Sequence, residues 1–368
     1  MENKMKNKVL LVALSLLLLV GTVLLIALPD ETISKSERRT LAQFPPLRAE
    51  DFFGGDWTSD FETYLLDQFP FRDAMRGVKA GAVFYLFFQS DNNGIYLSDG
   101  HVFKINYPLD EASVQRFTEK LNTLYEKHMQ DANVYYAIIP DKVQYATVGE
   151  KHLRTPHEEI LAKVQAGMNP EMQSINLYDT LTLSDYYFTD LHWKQECLQG
   201  VVNRLARDMN FTPAELKDMR TDSYAPFYGA YYGQAALPMQ TDTIYYLTDE
   251  AIATAIVEDL EHPDVTEVYN IDRLGETDSY DVYLSGATPL ITLKNTQMQN
   301  GRKLILFRDS YGSSVAPLLL SSYETVILVD LRYLSSNLLE DYVDFSGSDV
   351  DVLFLYGEQL VNSSALLK

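Results

Sequence analysis

Cysteine is nearly absent from this sequence, since its 368 residues include only Cys197. One cysteine excludes an intrachain disulfide framework and every metal site built from several thiolates. The six histidines show neither HExxH nor HxH spacing, which argues against a zinc hydrolase. The chain contains neither GxGxxG nor the GxxxxGKS/T pattern, so no phosphate-binding loop is indicated. We therefore expect no metal and no cofactor.

Positive charge is also scarce, because 30 Lys and Arg residues stand against 52 Asp and Glu residues, for a net charge of −22. This balance excludes nucleic acid as a partner, since phosphate binding needs a basic surface. The remaining composition, 46% hydrophobic and 22% charged, is typical of a globular protein and excludes a disordered or fibrous one. The length allows two domains or one large domain.

One long apolar run, Val9–Leu28, contains no charged residue and as a helix would span about 30 Å, the thickness of a bilayer core. Three lysines precede it, and Asp30 and Glu31 follow it. The positive-inside rule then places the N-terminus in the cytoplasm and the rest of the chain outside. We predict a cytoplasmic N-terminus at 1–8, a transmembrane signal anchor at 9–28, a stalk at 29–50 and an extracytoplasmic domain at 51–368.

A cleaved signal peptide is the alternative interpretation of this run. It is less favoured because the apolar core of a signal peptide usually has about 7–15 residues and ends in an A-x-A-like site. In Leu25-Ile26-Ala27 the first small position is a leucine, and no cysteine follows that could carry a lipid. The lack of disulfides in a chain outside the membrane is more typical of a bacterium than of a eukaryotic secretory route.

Apolar runs of strand length recur beyond the anchor and predict a parallel sheet whose strands are buried on both faces. These runs are Val134–Ile139, Leu304–Phe307, Thr325–Val329 and Val352–Leu355, with Ile175–Tyr178 as a shorter candidate. Predicted helices are Asp110–Gln130, one after His192, one from Ser313 and one from Ser335. This alternation predicts an α/β fold with helices on both faces of the sheet. We also predict a hairpin with an Asp99-Gly100 turn and a small antiparallel insertion at 221–295.

The run 303–313 carries the first chemical signal, because an apolar strand leads into Ser310, then Gly312, then a helix. Sites in open parallel sheets form beyond the carboxyl ends of the strands. A serine at such a turn exposes its hydroxyl, and the helix N-terminus behind it can stabilise an oxyanion. The alternative is that Asp309, Ser310 or Ser313 only caps the helix.

The run 188–193 carries the second signal, since Asp190 precedes His192 by two residues. An aspartate so placed can fix the imidazole tautomer and stabilise its charged form, as in a Ser-His-Asp triad. The alternative is a helix start capped by Asp190, with a partly exposed histidine. Triads join distant segments of a chain, so the two signals together predict that Asp190, His192 and Ser310 meet.

The segment Asp190-Leu191-His192-Trp193 resembles the Asp-His-His-Trp signature of the DHHW family, with Leu191 in place of the first histidine. Arg308–Tyr311 and Asp330–Tyr333 resemble that family's serine segment and the strand end after it, and 36–45 and 67–72 resemble its N-terminal pieces. The DHHW family is similar to the SGNH-like acyltransferases of alginate O-acetylation. The resemblance implies an SGNH-hydrolase-like sheet over residues 36–360.

The resemblance also implies roles, with Ser310 as nucleophile, His192 as general base and then acid, and Asp190 as the residue that orients it. We further expect the backbone N–H of Tyr311 to bind the oxyanion. Lys142 and Arg332 each follow a predicted strand, so both should lie at the carboxyl edge and could contact a substrate oxygen.

Two classes of function fit these observations. The first is a serine-dependent O-acetyltransferase or acetylesterase that acts on a surface polysaccharide through an acetyl-serine. Its acetyl donor would reach the outside through a membrane partner, which the resemblance implies is a multi-pass MBOAT-type acyltransferase. The second is a non-catalytic carbohydrate-binding or assembly protein. In both classes the aromatic residues of 224–232 could stack on sugar rings, or they could simply pack in the core.

Overall fold

The computed structural model describes residues 2–47, 55–147, 152–347 and 349–368. Its strands are β1 (Ile33–Ser34), β2 (Arg39–Thr40), β3 (Ile95–Ser98), β4 (His101–Lys104), β5 (Asn133–Ile139), β6 (Gln173–Ser174), β7 (Arg220–Phe227), β8 (Asp242–Thr248), β9 (Ile256–Asp259), β10 (Leu290–Lys294), β11 (Lys303–Arg308), β12 (Thr325–Val329) and β13 (Val350–Gly357).

The α-helices are mostly short and lie between these strands. They are α1 (Glu2–Ala27), α2 (Asp56–Asp67), α3 (Arg72–Gly81), α4 (Glu111–His128), α5 (His157–Gly167), α6 (Gln199–Asp208), α7 (Ala230–Ala235), α8 (Glu250–Ala253), α9 (Ser310–Leu319), α10 (Leu339–Tyr342) and α11 (Glu358–Val361). A π-helical stretch, Ala82–Leu86, continues α3.

A seven-stranded sheet organises the domain, in the order β6-β5-β13-β11-β12-β10-β9. The strands from β6 to β12 pair in parallel, and β10 and β9 extend one edge in antiparallel pairing. Alternate side chains of a strand point to opposite faces. In β11, Leu304 and Leu306 pack on the face covered by α6 and α9, whereas Ile305 and Phe307 pack on the face covered by α4 and α5. The predicted α/β fold with helices on both faces is confirmed.

Two predicted elements need correction. The strand predicted at 175–178 is wrong, because β6 ends at Ser174 and Tyr178–Thr180 form a 3₁₀ turn. The apolar residues of this run, Ile175 and Leu177, are buried in the core beneath that turn and do not belong to a strand. The helix predicted from Ser313 begins three residues earlier, because the Asp309 side chain accepts the Tyr311 N–H and caps it.

The strands of the region 221–295 are antiparallel, as predicted, but only its first part is an insertion. Its first part is antiparallel, since β7 pairs with β8. Its last part belongs to the main sheet, because β10 pairs with β12 and β9 pairs with β10. Leu290, Ile291 and Leu293 are buried, and this lets β10 cover the edge of β12 that would otherwise be unpaired.

The first helix, α1, is apolar and long enough to cross a membrane. The stretch Met5–Ala27 has a mean hydropathy of 3.1 in its most apolar window. The predicted N-terminal apolar helix is therefore present, and both its crossing of a membrane and the direction of that crossing stay predictions.

Residues 30–47, called the linker segment below, belong to the predicted stalk and pack on the domain. Arg39 forms two hydrogen bonds with Asp67 at the end of α2, at 2.8 and 2.5 Å, and Ala42 N–H donates to the same carboxylate. Glu37 binds Arg72 and Arg76 of α3 at 2.6 and 2.8 Å. The remaining stalk residues, 48–50, and the predicted start of the domain at 51 lie outside the described residues.

We expect Asp67→Asn to loosen the linker segment in a pH-dependent way. The hydrogen bonds from Arg39 lower the pKa of Asp67 to about 2. A carboxyl whose folded pKa lies below its unfolded value of about 4 stabilises the fold above pH 4 and ceases to do so as pH falls toward 2. The free energy of unfolding at pH 7 should therefore be about 2 kcal/mol larger for the wild type than for the variant. Chemical unfolding at several pH values measures this, and a difference that persists unchanged at pH 2 would contradict it.

Candidate active site

Asp190, His192 and Ser310 converge at the carboxyl edge of the parallel strands. His192 Nε2 lies 2.7 Å from Ser310 Oγ, and His192 Nδ1 lies 2.5 Å from Asp190 Oδ1. Asp190 and His192 are buried, whereas Ser310 is partly exposed. The described residues contain no cluster of ligating side chains able to hold a metal ion. The three residues thus form one hydrogen-bonded chain that ends at an accessible hydroxyl.

The turn between β11 and α9 places Ser310 at the first position of the helix. Asp309 holds this turn, because its two carboxylate oxygens accept the N–H groups of Tyr311 at 3.0 Å and Gly357 at 2.8 Å. The latter bond ties the turn to the end of neighbouring β13. Residue 312 must be glycine here, since a Cβ would collide with the Cβ of Arg308. Asp309 is therefore the predicted cap.

The segment around Asp190 has almost no regular structure and is held by side chains. Asp242 accepts the N–H groups of Phe188 and Thr189, both at 2.7 Å. Gly229 packs directly against the backbone of Thr189, where any Cβ would overlap the Thr189 carbonyl. This close approach brings Ala230 N–H within 2.6 Å of Asp190 Oδ2.

The prediction that Lys142 contacts a substrate oxygen is wrong, because its side chain does not reach the substrate side. Its side chain is fully buried, and Nζ donates to the backbone carbonyls of Tyr187, Phe188 and Asp190 at 3.1, 3.2 and 2.6 Å. Burial lowers the pKa of Lys142 to about 8, against the opposing effect of the nearby carboxylates. The position at the carboxyl edge was correct, but the lysine supports the Asp190 segment from behind.

Asp190 is ionised although it is completely buried. Burial by itself would raise its pKa, but His192, Arg38 and the Ala230 N–H together hold that pKa well below its usual range. An ionised carboxylate only accepts hydrogen bonds. The proton between Asp190 and His192 therefore sits on Nδ1, which leaves Nε2 free to accept the proton of the Ser310 hydroxyl.

Arg38 is the residue of the site that sequence reasoning missed. Its Nη1 donates to Asp190 Oδ2 at 2.8 Å, and its other terminal nitrogen pairs with Asp278. Arg38 lies in the turn between β1 and β2 with φ 56°, a conformation that costs a non-glycine residue roughly 1–2 kcal/mol. A strained arginine held on a buried carboxylate 152 residues away indicates a functional contact. The only signal in the sequence was the resemblance at 36–45.

Aromatic rings fix the plane of the imidazole. Tyr280 stacks on His192 with a ring separation of 3.9 Å, and Tyr311 meets it edge-on at 4.9 Å. Ser314 ties this wall together, since Trp193 Nε1 and the Tyr280 hydroxyl donate to its oxygen at 2.9 and 3.0 Å. Trp193 is therefore held, fully buried, below the site.

The Tyr311 N–H was predicted to bind the oxyanion, but it is not free to do so, because it donates to the Asp309 carboxylate. The N–H of Ser310 itself donates to no other described residue. Arg332 lies at the predicted edge but is bound to Asp330, with Nη2 at 2.6 Å and Nε at 2.9 Å. Burial by itself would lower the pKa of Arg332, but the hydrogen bonds and the charge of Asp330 outweigh it and raise that pKa, so Arg332 stays charged.

The aromatic residues of 224–232 divide into two groups. Phe227 and Tyr231 are buried and pack in the core. Tyr224, Tyr228 and Tyr232 are partly exposed. Tyr224 and Tyr228 line a cavity of about 110 Å³ together with Arg38 and Ser279. This cavity adjoins the hydrogen-bonded chain of Asp190, His192 and Ser310, because Arg38 binds Asp190 and Tyr280, the residue after Ser279, stacks on His192.

No family model and no curated protein matches this chain. Among solved structures, a DHHW family protein from Eubacterium siraeum is similar over 76% of this chain and 97% of its own, with 19% identity and a TM-score of 0.60. Bacillus cereus PatB1, solved with a sulfonyl adduct, is similar over 73% of this chain and 97% of its own, with 17% identity and a TM-score of 0.56.

A third structure, the O-acetyltransferase domain of Pseudomonas putida AlgJ, covers 74% of this chain and 93% of its own at 13% identity, but its TM-score of 0.43 is too low to support a conclusion. Identities below a quarter establish a shared fold and no more. The predicted resemblance to the DHHW family is confirmed at that level: the chain has the fold of a DHHW family protein.

Proposed function

We propose that this protein is a serine-dependent O-acetyltransferase, or an acetylesterase, which acts on a surface polysaccharide through an acetyl-serine intermediate. The observation that carries the proposal is the hydrogen-bonded chain from Asp190 through His192 to Ser310. A similar fold is found in PatB1, which has been solved with a sulfonyl adduct. Sulfonyl groups attach to activated nucleophiles, so that likeness supports a reactive serine here.

In the first half-reaction, Ser310 Oγ gives its proton to His192 Nε2 and attacks the acetyl carbonyl carbon. The oxyanion that develops is met by the Ser310 N–H and by the positive end of α9. The bond to the donor oxygen then breaks, and the departing oxygen takes the proton from Nε2. In the second half-reaction a sugar hydroxyl, or water, repeats these steps on the acetyl-serine.

Arg38 acts in this scheme as a positioning residue. Its guanidinium occupies Asp190 Oδ2, so that Oδ1 alone faces the imidazole. It thereby keeps the carboxylate ionised and aligned with Nδ1 when His192 becomes positively charged. The cavity beside Arg38, with Tyr224 and Tyr228 in its wall, is where a sugar ring would stack.

The domain would work outside the cell, held to the membrane by α1. The apolar length of Met5–Ala27 and the lysines before residue 9 support this topology. An external enzyme has no direct access to cytoplasmic acetyl donors, so we include an MBOAT-type membrane acyltransferase as the partner that supplies the acetyl group. The competing function, a non-catalytic carbohydrate-binding or assembly protein, needs no reactive serine.

We expect a sulfonyl fluoride to label Ser310 covalently in the wild-type chain. Ser310→Ala should abolish labelling, and His192→Ala should slow it by about 10³-fold or more, because triad residues act as a unit. Ser184→Ala, which changes an exposed serine outside the site, is the matched control. Intact-mass and peptide mass spectrometry measure the label. Equal labelling of wild type and Ser310→Ala would move the binding-protein function ahead.

The biological readout is the acetyl content of the cell's polysaccharide. When Ser310→Ala replaces the wild type, the acetyl content should fall if the enzyme is a transferase and rise if it is an esterase, while Ser184→Ala leaves it unchanged. Unchanged acetylation in the Ser310 variant would contradict both the transferase and the esterase, even if the serine is reactive in solution.

Replacing Arg38 should change the pH profile of labelling. Arg38 lowers the pKa of Asp190, so Arg38→Ala raises that pKa and moves the acid limb to higher pH. The rate should also fall by about 10- to 100-fold, the equivalent of one hydrogen bond to a charged group. Millimolar guanidinium, entering through the adjoining cavity, should restore part of the rate.

Arg39→Ala is the control for this prediction, because it loosens the same hairpin without contacting Asp190. A purely structural role for Arg38 predicts that both variants lose activity alike, with no shift of the pH profile and no rescue by guanidinium.

The topology is tested with protease added to intact spheroplasts. Digestion of the domain is expected, because the positive-inside rule places everything after α1 outside. Full protection, with digestion only after lysis, would reverse the orientation.

A further inference from the structure

The helix formed by α3 and its π-helical continuation carries an apolar stripe that points outward. Phe71, Met75 and Val78 are spaced as one helical face and are between 46% and 74% exposed. Tyr85 and Leu86 continue this stripe and are 70% and 66% exposed. A surface helix of a soluble protein normally turns such a stripe toward the core, so this one has the reverse arrangement.

The stripe continues into the two residues that follow the helix. Phe87 and Phe88 are 64% and 80% exposed. The surface made by Phe71, Met75, Val78, Tyr85, Leu86, Phe87 and Phe88 is called the apolar face below. Contiguous exposed apolar surface of this kind marks a contact with a protein or a membrane.

The position of α1 favours the membrane. The Phe69 ring, two residues before the apolar face, lies against Gly21 of α1, where an added Cβ would be 3.5 Å from Phe69 Cζ. Gly21 belongs to the apolar stretch Met5–Ala27. At the rise of an α-helix it lies about 9 Å before the end of α1, inside the depth that lipid would occupy. The apolar face therefore begins, two residues after Phe69, at about the height where α1 would leave the membrane.

The charges show what kind of attraction is available. The chain has a net charge of −22, so anionic lipid would repel the protein as a whole. Arg72 and Arg76, the cations on the inner side of the helix, are paired with Glu37. Apolar contact has to supply the binding energy, at about 25 cal/mol for each Å² of apolar area removed from water.

We propose that the apolar face lies in the headgroup and upper acyl-chain region of the membrane that α1 spans. The inference rests on the proposed anchoring by α1. The helix is then an interfacial helix, parallel to the membrane, which adds a second attachment to the single span. The occupant is lipid, and a protein partner on this surface is the outcome that would replace it.

This attachment would also hold the active site at a defined place. Arg72 and Arg76 bind Glu37, and the next residue, Arg38, binds Asp190. A rigid series of ion pairs thus connects the membrane-facing helix to the catalytic carboxylate. The domain is not free on a flexible stalk, and Ser310 stays close to the surface from which a membrane-bound donor would deliver its acetyl group.

The experiment uses the full chain in phosphatidylcholine liposomes and exploits its single cysteine. In a Cys197→Ser background, one cysteine at a time carries an environment-sensitive fluorophore: Phe87→Cys on the apolar face, Leu18→Cys within α1, and Tyr342→Cys as the control. Tyr342 is an exposed aromatic residue at the other end of the sheet, near the end of α4 that leads into β5. Lipids with a nitroxide near the headgroup quench probes at the membrane surface. Lipids with a nitroxide near the end of the acyl chain quench the probe at position 18, which lies about 14 Å from the end of α1.

The probe at position 87 should be quenched about twofold or more, since interfacial helices sit about 5–10 Å into the headgroup boundary, and the probe at 342 should not be quenched. Quenching at 87 should be the same in low and high salt, because the contact is apolar. Sulfonyl fluoride labelling of Ser310, unchanged in all three variants, verifies the fold.

The two proposals fail in different ways. Quenching at 18 without quenching at 87 overturns the interfacial helix and leaves the anchor in place, which would assign the apolar face to a protein partner. No quenching at 18 shows that α1 does not span the membrane, and the interfacial helix falls with it.

Discussion

The site depends on one buried negative charge. Asp190 has no contact with solvent, and its carboxylate is kept ionised by four donors: the Nδ1 and N–H groups of His192, the guanidinium of Arg38 and the N–H of Ala230. An unpaired charge at this depth would cost several kcal/mol. The surroundings of Asp190 must therefore be complete before the imidazole can be aligned with Ser310.

These donors come from parts of the chain that are far apart, and this explains much of the architecture. Ala230 reaches the carboxylate because Gly229 allows the backbones to touch. Lys142 holds the carbonyls of the same segment from below. Arg38 arrives from the linker segment, which is fixed to α2 and α3 by Asp67 and Glu37. The region just after α1 is thus a structural part of the site.

The opposite side of the site rests on a different kind of support. Ser310 is placed by the end of β11 and by Asp309, whose carboxylate joins the start of α9 to Gly357 at the end of β13. Backbone geometry and a helix cap are enough there, because a serine hydroxyl carries no charge that needs compensation. The site therefore combines a strand-to-helix turn with a loop that has little regular structure and is held largely by side chains.

The sequence by itself determined the parallel sheet, the apolar first helix and the three residues that the structure joins in one hydrogen-bonded chain. Strands buried on both faces leave continuous apolar runs such as Val134–Ile139, and a short-range Asp-x-His pattern is visible without a fold. Only the tertiary structure decided the rest. Lys142 was predicted at the correct edge, yet the direction of its side chain depends on carbonyls 45–48 residues away. Arg38 gave no signal beyond the resemblance at 36–45, because its contact with Asp190 crosses 152 residues and reaches a carboxylate that burial makes costly.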